Sequence, residues 1–396
     1  MFWSRDVKPR KRSYYAFSKN YPSRRTGTTY AIGETRARRE KERRANVAYA
    51  LALVVVFLLT FAAAFVGISL YERPVESDGA AAPFDGTYHA LYITPDELGG
   101  GIAFDLFADT LAESGANAVL LDYKGANGRL CTQADEAAGE IGASAATNAA
   151  ADTVARLKAQ GCKILARVYC FCDPLAASQL PGTAVTESDG VSVWLDDSAR
   201  SGGQPWLNPY SETAQDYLLA VIASAVEFGA DVVVLDAVQF PTGERAAQAT
   251  FPGEAESTYS RNAVLQRFIE RAKEAARGVP LAVSMPLSAA VAGDAAAYGG
   301  GIFDSAADFA AVELTREGLA DGAVLGGTAY AASMDDAAFY TAAASAVEAR
   351  LADNYRTSGV LYILPAGADA SLLSGASEKQ TVRLRETAQS PTAEEK

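Results

Sequence analysis

The chain is 396 residues long, carries a formal net charge of −13 and contains one histidine, His89. A single histidine excludes a His-rich catalytic zinc site and argues against a His-ligated polysaccharide deacetylase and a Ser-His-Asp hydrolase. The net charge averages two unlike parts: residues 1–46 carry 14 Lys/Arg against 4 Asp/Glu, and the remaining 350 carry 21 against 44.

The amino-terminal segment 1–46 (KPRKRSYY, YPSRRTGTTY, RARREKERR) interleaves tyrosine with arginine. That pattern is compatible with nucleic-acid contact. The preferred reading is a disordered arm held near anionic lipid headgroups, with no nucleic-acid partner. Residues 47–70, VAYALALVVVFLLTFAAAFVGISL, form 24 consecutive residues without charge. At about 1.5 Å per residue a helix of that length crosses a hydrocarbon core of roughly 30 Å. A cleaved signal peptide is the competing reading, given Ala62–Ala64, but a 46-residue leader is too long and the apolar run continues past those alanines. With no cysteine near the segment, a lipoprotein is excluded. The basic run ending at Arg44 predicts a cytoplasmic amino terminus, a single pass through the cell membrane, and everything beyond about residue 72 outside.

Residues 71–86 read as a short stalk, 87–375 as one globular unit and 376–396 as a polar tail that frays. Within the globular unit, short β-rich runs alternate with alanine-rich amphipathic segments. Strands are predicted at Tyr88–Thr94, Asn117–Tyr123, Lys163–Phe171, Asp231–Val238, Pro280–Met285, Asp308–Leu314, Ala323–Tyr330 and Gly359–Leu364. Helices are predicted at Ile102–Ser114, Thr147–Gln160, Ser211–Phe228, Thr258–Arg277, Ser288–Tyr298 and Asp335–Asp353, with another at the carboxyl end. Glycine before a strand, as in SGANAVLLD and FGADVVVLD, is the expected helix terminator. Eight strand–helix repeats in roughly 290 residues fit an α/β fold of the (β/α)8 barrel type.

Active sites of such barrels lie at the carboxyl ends of the strands. Residues of one parity share a strand face. Asp236 ends the fourth strand, with Val232 and Val234 on its face. On the same reasoning Asp122 and Lys124 extend the second strand, and Arg167 and Tyr169 the third. Two carboxylates with cationic and phenolic neighbours are what glycosidic bond cleavage requires: one protonates the leaving oxygen while the other acts as nucleophile or activates water. The same set also reads as structural ion pairs, Asp122 with Lys124 and Arg167 with Asp236. Trp194, Trp206, Tyr210 and Tyr169 supply flat rings of the kind that stack on sugars, or else plug loops.

The segments GANAVLLDYKGANGRL, GCKILARVYCFCDPLAAS and WLNPYSETAQDYLLAVIASAVEFGADVVVLDAVQFPTG follow in that order. Together they resemble a bacterial family of glycoside hydrolase-like domains, similar to amylase-like and polygalactosaminidase-like barrels. The resemblance covers about residues 88–245. It implies a barrel acting on polysaccharide, with Asp122, Lys124, Arg167, Trp206, Asn208, Tyr210 and Asp236 at positions of the family pattern. Ala237, Gln239 and Asn208 stand where the pattern has Tyr, Arg and Asp, and the sixth-strand segment AAVELTREG offers Glu313 as a further carboxylate. The implied function is a membrane-anchored glycoside hydrolase on cell-envelope or extracellular glycan. Its centre is Asp236 as nucleophile or base, with the acid role falling to Asp122 or Glu313, and Lys124, Arg167, Tyr169, Trp194, Trp206, Asn208, Tyr210 and Gln239 around the substrate. The alternative is a glycan-binding or envelope-scaffold barrel without catalysis. No cofactor or metal is expected. Of Cys131, Cys162, Cys170 and Cys172, the strand-end positions of Cys131 and the Cys170/Cys172 pair allow one disulfide.

Overall fold

The computed structural model describes residues 40–60 and 86–385, apart from positions 42, 134–135, 293–294, 355 and 374. The chain divides into two units, Met1–Val75 and Glu76–Lys396. In the first, Arg43–Thr60 is a helix long and apolar enough to cross a membrane. The basic arm up to residue 39, the expected span from 61 to 70, the stalk up to residue 85 and the tail from 386 lie outside the described residues.

The second unit is a closed eight-stranded parallel barrel. Its strands are β1 (His89–Tyr92), β2 (Ala118–Lys124), β3 (Lys163–Tyr169), β4 (Val232–Asp236), β5 (Leu281–Pro286), β6 (Phe309–Glu313), β7 (Gly359–Leu364) and β8 (Gln380–Arg383). The longer helices outside it are α1 (Gly101–Ser114), α2 (Ala149–Ala159), α3 (Glu212–Phe228), α4 (Arg261–Ala275) and α5 (Asp336–Ala352). Ser211, Ser260 and Asp335 cap α3, α4 and α5 with side-chain oxygens, satisfying amide groups the helix cannot pair itself. Gly229 ends α3 at φ 109°, a backbone state glycine adopts without steric cost, and turns the chain into β4.

Two cores follow from strand alternation. Inside the barrel, small and branched side chains interlock, among them Ala90, Leu120, Leu165, Val234, Ala311 and Ile363. Between strands and helices a larger layer includes Val119, Ile164, Val233, Leu218 and Phe268. The residues at the carboxyl ends of the strands that share the inner face therefore emerge on one rim.

The structure departs from the sequence expectation at the seventh and eighth strands. Ala323–Tyr330 is not a barrel strand. Its residues form a two-stranded antiparallel hairpin, Val324–Leu325 against Thr328–Ala329, because Gly326 and Gly327 both adopt positive φ (54° and 86°) and close a tight turn. Gly359–Leu364 is thus the seventh strand. The barrel closes through β8, inside the segment expected to fray, and β8 pairs with both β1 and β7. Among the described residues between β7 and β8 the helical pieces are two short 3-10 turns, Ala370–Leu372 and Ala376–Glu378. The expected helix over 288–298 is shortened to Leu287–Ala292, and a separate turn follows at Ala296–Tyr298.

Candidate active site

The register of the sheet brings the strand ends together. Asp122 is opposite Arg167, Tyr169 opposite Asp236, and Pro286 opposite Glu313. Arg167 stands between two acids. Its Nε donates to Asp122 Oδ1 at 2.6 Å, and its terminal nitrogen lies 3.7 Å from Asp236 Oδ2. The Tyr92 hydroxyl donates to the other Asp122 oxygen at 2.8 Å. The guanidinium also lies against two phenol rings, 5.4 Å from the centre of Tyr92 and 5.0 Å from that of Tyr169, an arrangement that favours the cation.

Asp236 keeps 16% of its side-chain surface exposed. Its Oδ1 accepts the Ala237 amide at 2.7 Å. Ala237 is held at φ 51°, a left-handed state that a residue with a Cβ rarely adopts. Burial pushes the Asp236 carboxyl up from 3.8 to about 6; Glu313 and Asp122 push the same way, while Arg167 and the Ala237 amide pull it down. Glu313 accepts a hydrogen bond from Ser284 at 3.0 Å; among the described residues its second oxygen has no hydrogen-bond partner. Tyr298 reaches the same neighbourhood. Burial raises its hydroxyl above the usual phenol range, with Asp236 and Glu313 adding to the effect.

The rim therefore joins Asp122, Arg167, Tyr169, Asp236 and Glu313 and adds Tyr92, Ser284 and Tyr298. Tyr92 and Ser284 follow from the same strand parity as Asp122 and Asp236. Tyr298 sits in an irregular turn with no periodic signal to reveal it.

Several expected site residues are elsewhere. Lys124 does not line the cleft. The ladder slips by one residue between Asp122 and Lys124, so Lys124 pairs with Val168 on the outer side of the barrel. There its ammonium is fully buried, 2.5 Å from the equally buried Asp173 and 5.6 Å from the Tyr217 ring centre. Asp173 in turn accepts the Ala176 amide at 2.8 Å and caps the short helix Pro174–Gln179. Of the ion pairs expected as the alternative, Arg167 with Asp236 is present, whereas Lys124 pairs with Asp173 and Asp122 with Arg167.

Trp194 is fully buried, and its ring nitrogen donates to the Arg245 carbonyl at 3.0 Å. Trp206 is 9% exposed and donates to Asp196 at 3.1 Å. Neither offers an open face to a sugar; both fasten the loops that follow β3 and β4. Asn208, also buried, bridges the Pro252 carbonyl and the Tyr210 amide. The Tyr210 hydroxyl donates to the Tyr259 carbonyl at 3.3 Å. Gln239 is half-buried and lines a separate cleft beside the rim.

All four cysteines are free thiols. Burial pushes Cys131 and Cys162 up to about 12 and Cys172 up to about 11, far from the thiolate that a cysteine nucleophile needs. Among the described residues no group of His, Cys, Asp and Glu side chains has the arrangement of a metal site. The rim itself carries carboxylates beside a buried cation.

Residues 90–298 match the family described as "Putative glycosyl hydrolase domain". That is more than half of the chain, and the chain belongs to this family. A comparison with curated proteins finds no match. Among solved structures, a hypothetical protein from Ruminiclostridium thermocellum is 25% identical, covering 49% of this chain and 96% of its own, with a TM-score of 0.44. The glycoside hydrolase domain of PelA from Pseudomonas aeruginosa is 12% identical over 76% of this chain and 94% of its own, with a TM-score of 0.36. The pneumococcal virulence factor StrH is 11% identical over 78% and 79%, with a TM-score of 0.43.

Proposed function

We propose that this chain is a membrane-anchored glycoside hydrolase acting on cell-envelope or extracellular polysaccharide. The observation that carries the reading is Asp236. It is a mostly buried carboxyl at the carboxyl end of β4, raised to about 6, with Glu313 close enough to act on it electrostatically. A carboxyl shifted by burial beside a second carboxylate at a barrel mouth is a candidate for acid/base work.

The roles follow from the donors. Asp236 is approached by a cation and a peptide amide, both of which favour its anion, so it serves as nucleophile or as the base that activates water. Glu313 meets one neutral hydroxyl and keeps an oxygen free to protonate the leaving glycosidic oxygen. Asp122 has both oxygens engaged, by Arg167 and by Tyr92, and acts as a positioning residue that fixes the guanidinium. Tyr169, with its ring beside Arg167, supplies an aromatic wall. The apolar helical segment Arg43–Thr60 serves as part of the single-pass anchor. Arg43 and Arg44 at its start favour a cytoplasmic amino terminus and a barrel outside.

The second reading is a barrel that binds glycan without cutting it. It draws on Gln239, with which the neighbouring cleft has no cation among its described lining residues. The test is to incubate the full chain in detergent with a panel of bacterial polysaccharides and to score binding and new reducing ends separately. New ends made by the wild type and lost in Asp236→Asn and Glu313→Gln support hydrolysis. Undiminished cleavage by Asp236→Asn sinks it, and binding with no new ends selects the second reading.

A further inference from the structure

Beside the rim lies a cleft of about 400 Å³, large enough to take part of a glycan chain. Gln239 and Thr242 enter it from the loop after β4, Ser288 from the short helix after β5, and Tyr298 from the turn that follows. The other described residues of its wall are small or apolar: Pro286, Gly318 and the alanines at positions 289, 292 and 295–297. Tyr298 belongs both to this cleft and to the surroundings of Asp236 and Glu313, so the cleft opens beside those carboxylates.

None of the described residues lining the cleft carries a charge. The rim's cation does not make up for this, because Arg167 is already shared between Asp122 and Asp236. A uronate or sulfated sugar seated here would find no cation among the described lining residues, next to an aspartate that is itself anionic above about pH 6. An uncharged sugar meets the opposite situation. Its hydroxyls, or an acetamido group, find the Gln239 amide and the Thr242 and Ser288 hydroxyls, while its C–H face lies on alanine methyls.

We propose that this cleft is a subsite for an uncharged glycosyl unit and that Gln239 is the residue that sets this preference. The inference rests on the glycan-cleaving reading and adds the class of sugar. It predicts that a cation at position 239 converts the cleft toward anionic sugars, because a guanidinium pairs with a carboxylate in a way an amide does not.

The experiment uses the full chain in detergent carrying Asp236→Asn, so that no probe is consumed. Binding is measured for tetrasaccharides of glucose, of galactose and of N-acetylglucosamine, and for tetragalacturonate. At least one neutral probe is expected to bind about tenfold or more tighter than tetragalacturonate. Adding Gln239→Arg is expected to narrow that ratio about tenfold by tightening uronate binding, and Gln239→Lys is a second cationic variant should the arginine disturb folding. Equal or tighter uronate binding by Gln239, or a ratio unmoved in both cationic variants, overturns the subsite. If the wild type cuts an acidic polysaccharide and no neutral one, the subsite fails while hydrolysis stands. If no probe binds and no polysaccharide is cut, both fail.

Discussion

Replacing Asp236 by asparagine should relieve the barrel of a charge it holds at a cost, and the relief should depend on pH. The carboxyl titrates near 6 in the folded chain, against an ordinary 3.8, chiefly because it is buried. Between those values the folded state binds a proton that the unfolded state has released. Wild-type stability therefore falls as pH rises from about 4 to above 6. A shift of about two units corresponds to about 3 kcal/mol, and with little of the side chain exposed, solvent screening reduces it only modestly. Asparagine keeps an oxygen for the Ala237 amide and does not titrate. The stability of Asp236→Asn minus that of the wild type should therefore grow by up to about 3 kcal/mol between pH 4 and pH 7.5. Urea unfolding of the full chain in detergent, followed through the buried Trp194 and Trp206, measures that difference at each pH, and the subtraction cancels groups common to both proteins. A difference that is flat with pH, or that shrinks as pH rises, would refute the assignment of the raised carboxyl to Asp236.

The same titration should shape catalysis: kcat/KM on a cleaved glycan should rise through an acid limb near pH 6 as Asp236 ionises. An acid limb at or below pH 4 removes Asp236 from the essential-base role. Gly128→Ala should destabilise the barrel unit by more than about 2 kcal/mol. The residue sits at φ 79°, and an added Cβ would overlap Asp173 Oδ1 and lie 2.7 Å from the Leu175 side chain, at the acid that holds buried Lys124. Thermal unfolding checks this, and an unchanged midpoint contradicts it.

Much of the site was legible because strand alternation survives folding wherever the ladder is regular. Asp236 shares a face with Val232 and Val234 in the structure as in the sequence, and Arg167 with Leu165. Strand parity breaks at Lys124 for a local reason: a one-residue slip in β2 puts Asp122 and Lys124 on opposite sides of the sheet, and no side-chain pattern announces it. The tryptophans fail for another reason. An aromatic ring that plugs a loop and one that meets a sugar have the same local sequence, and only the buried partners of Trp194 and Trp206 separate the two roles. In the fold, β8 escaped notice because QTVR is four residues long and carries a single large apolar side chain, whereas the hairpin over 324–329 is the more β-like string. Barrel closure supplies the pairing that β8's own composition does not.

That closing strand places a clock on assembly. His89 and Thr381 meet across the β1–β8 seam, where their side chains lie 3.2 Å apart although 292 positions separate them in sequence. At 5–20 residues per second, synthesis of the intervening chain takes roughly 15–60 s. Once β2 has been made, β1 can pair on that side, but until β8 arrives its other side is an open parallel edge, the kind of edge that recruits foreign strands. The first strand made waits for the last, so the vulnerable period of this barrel in the cell is set by how late Gln380–Arg383 arrives.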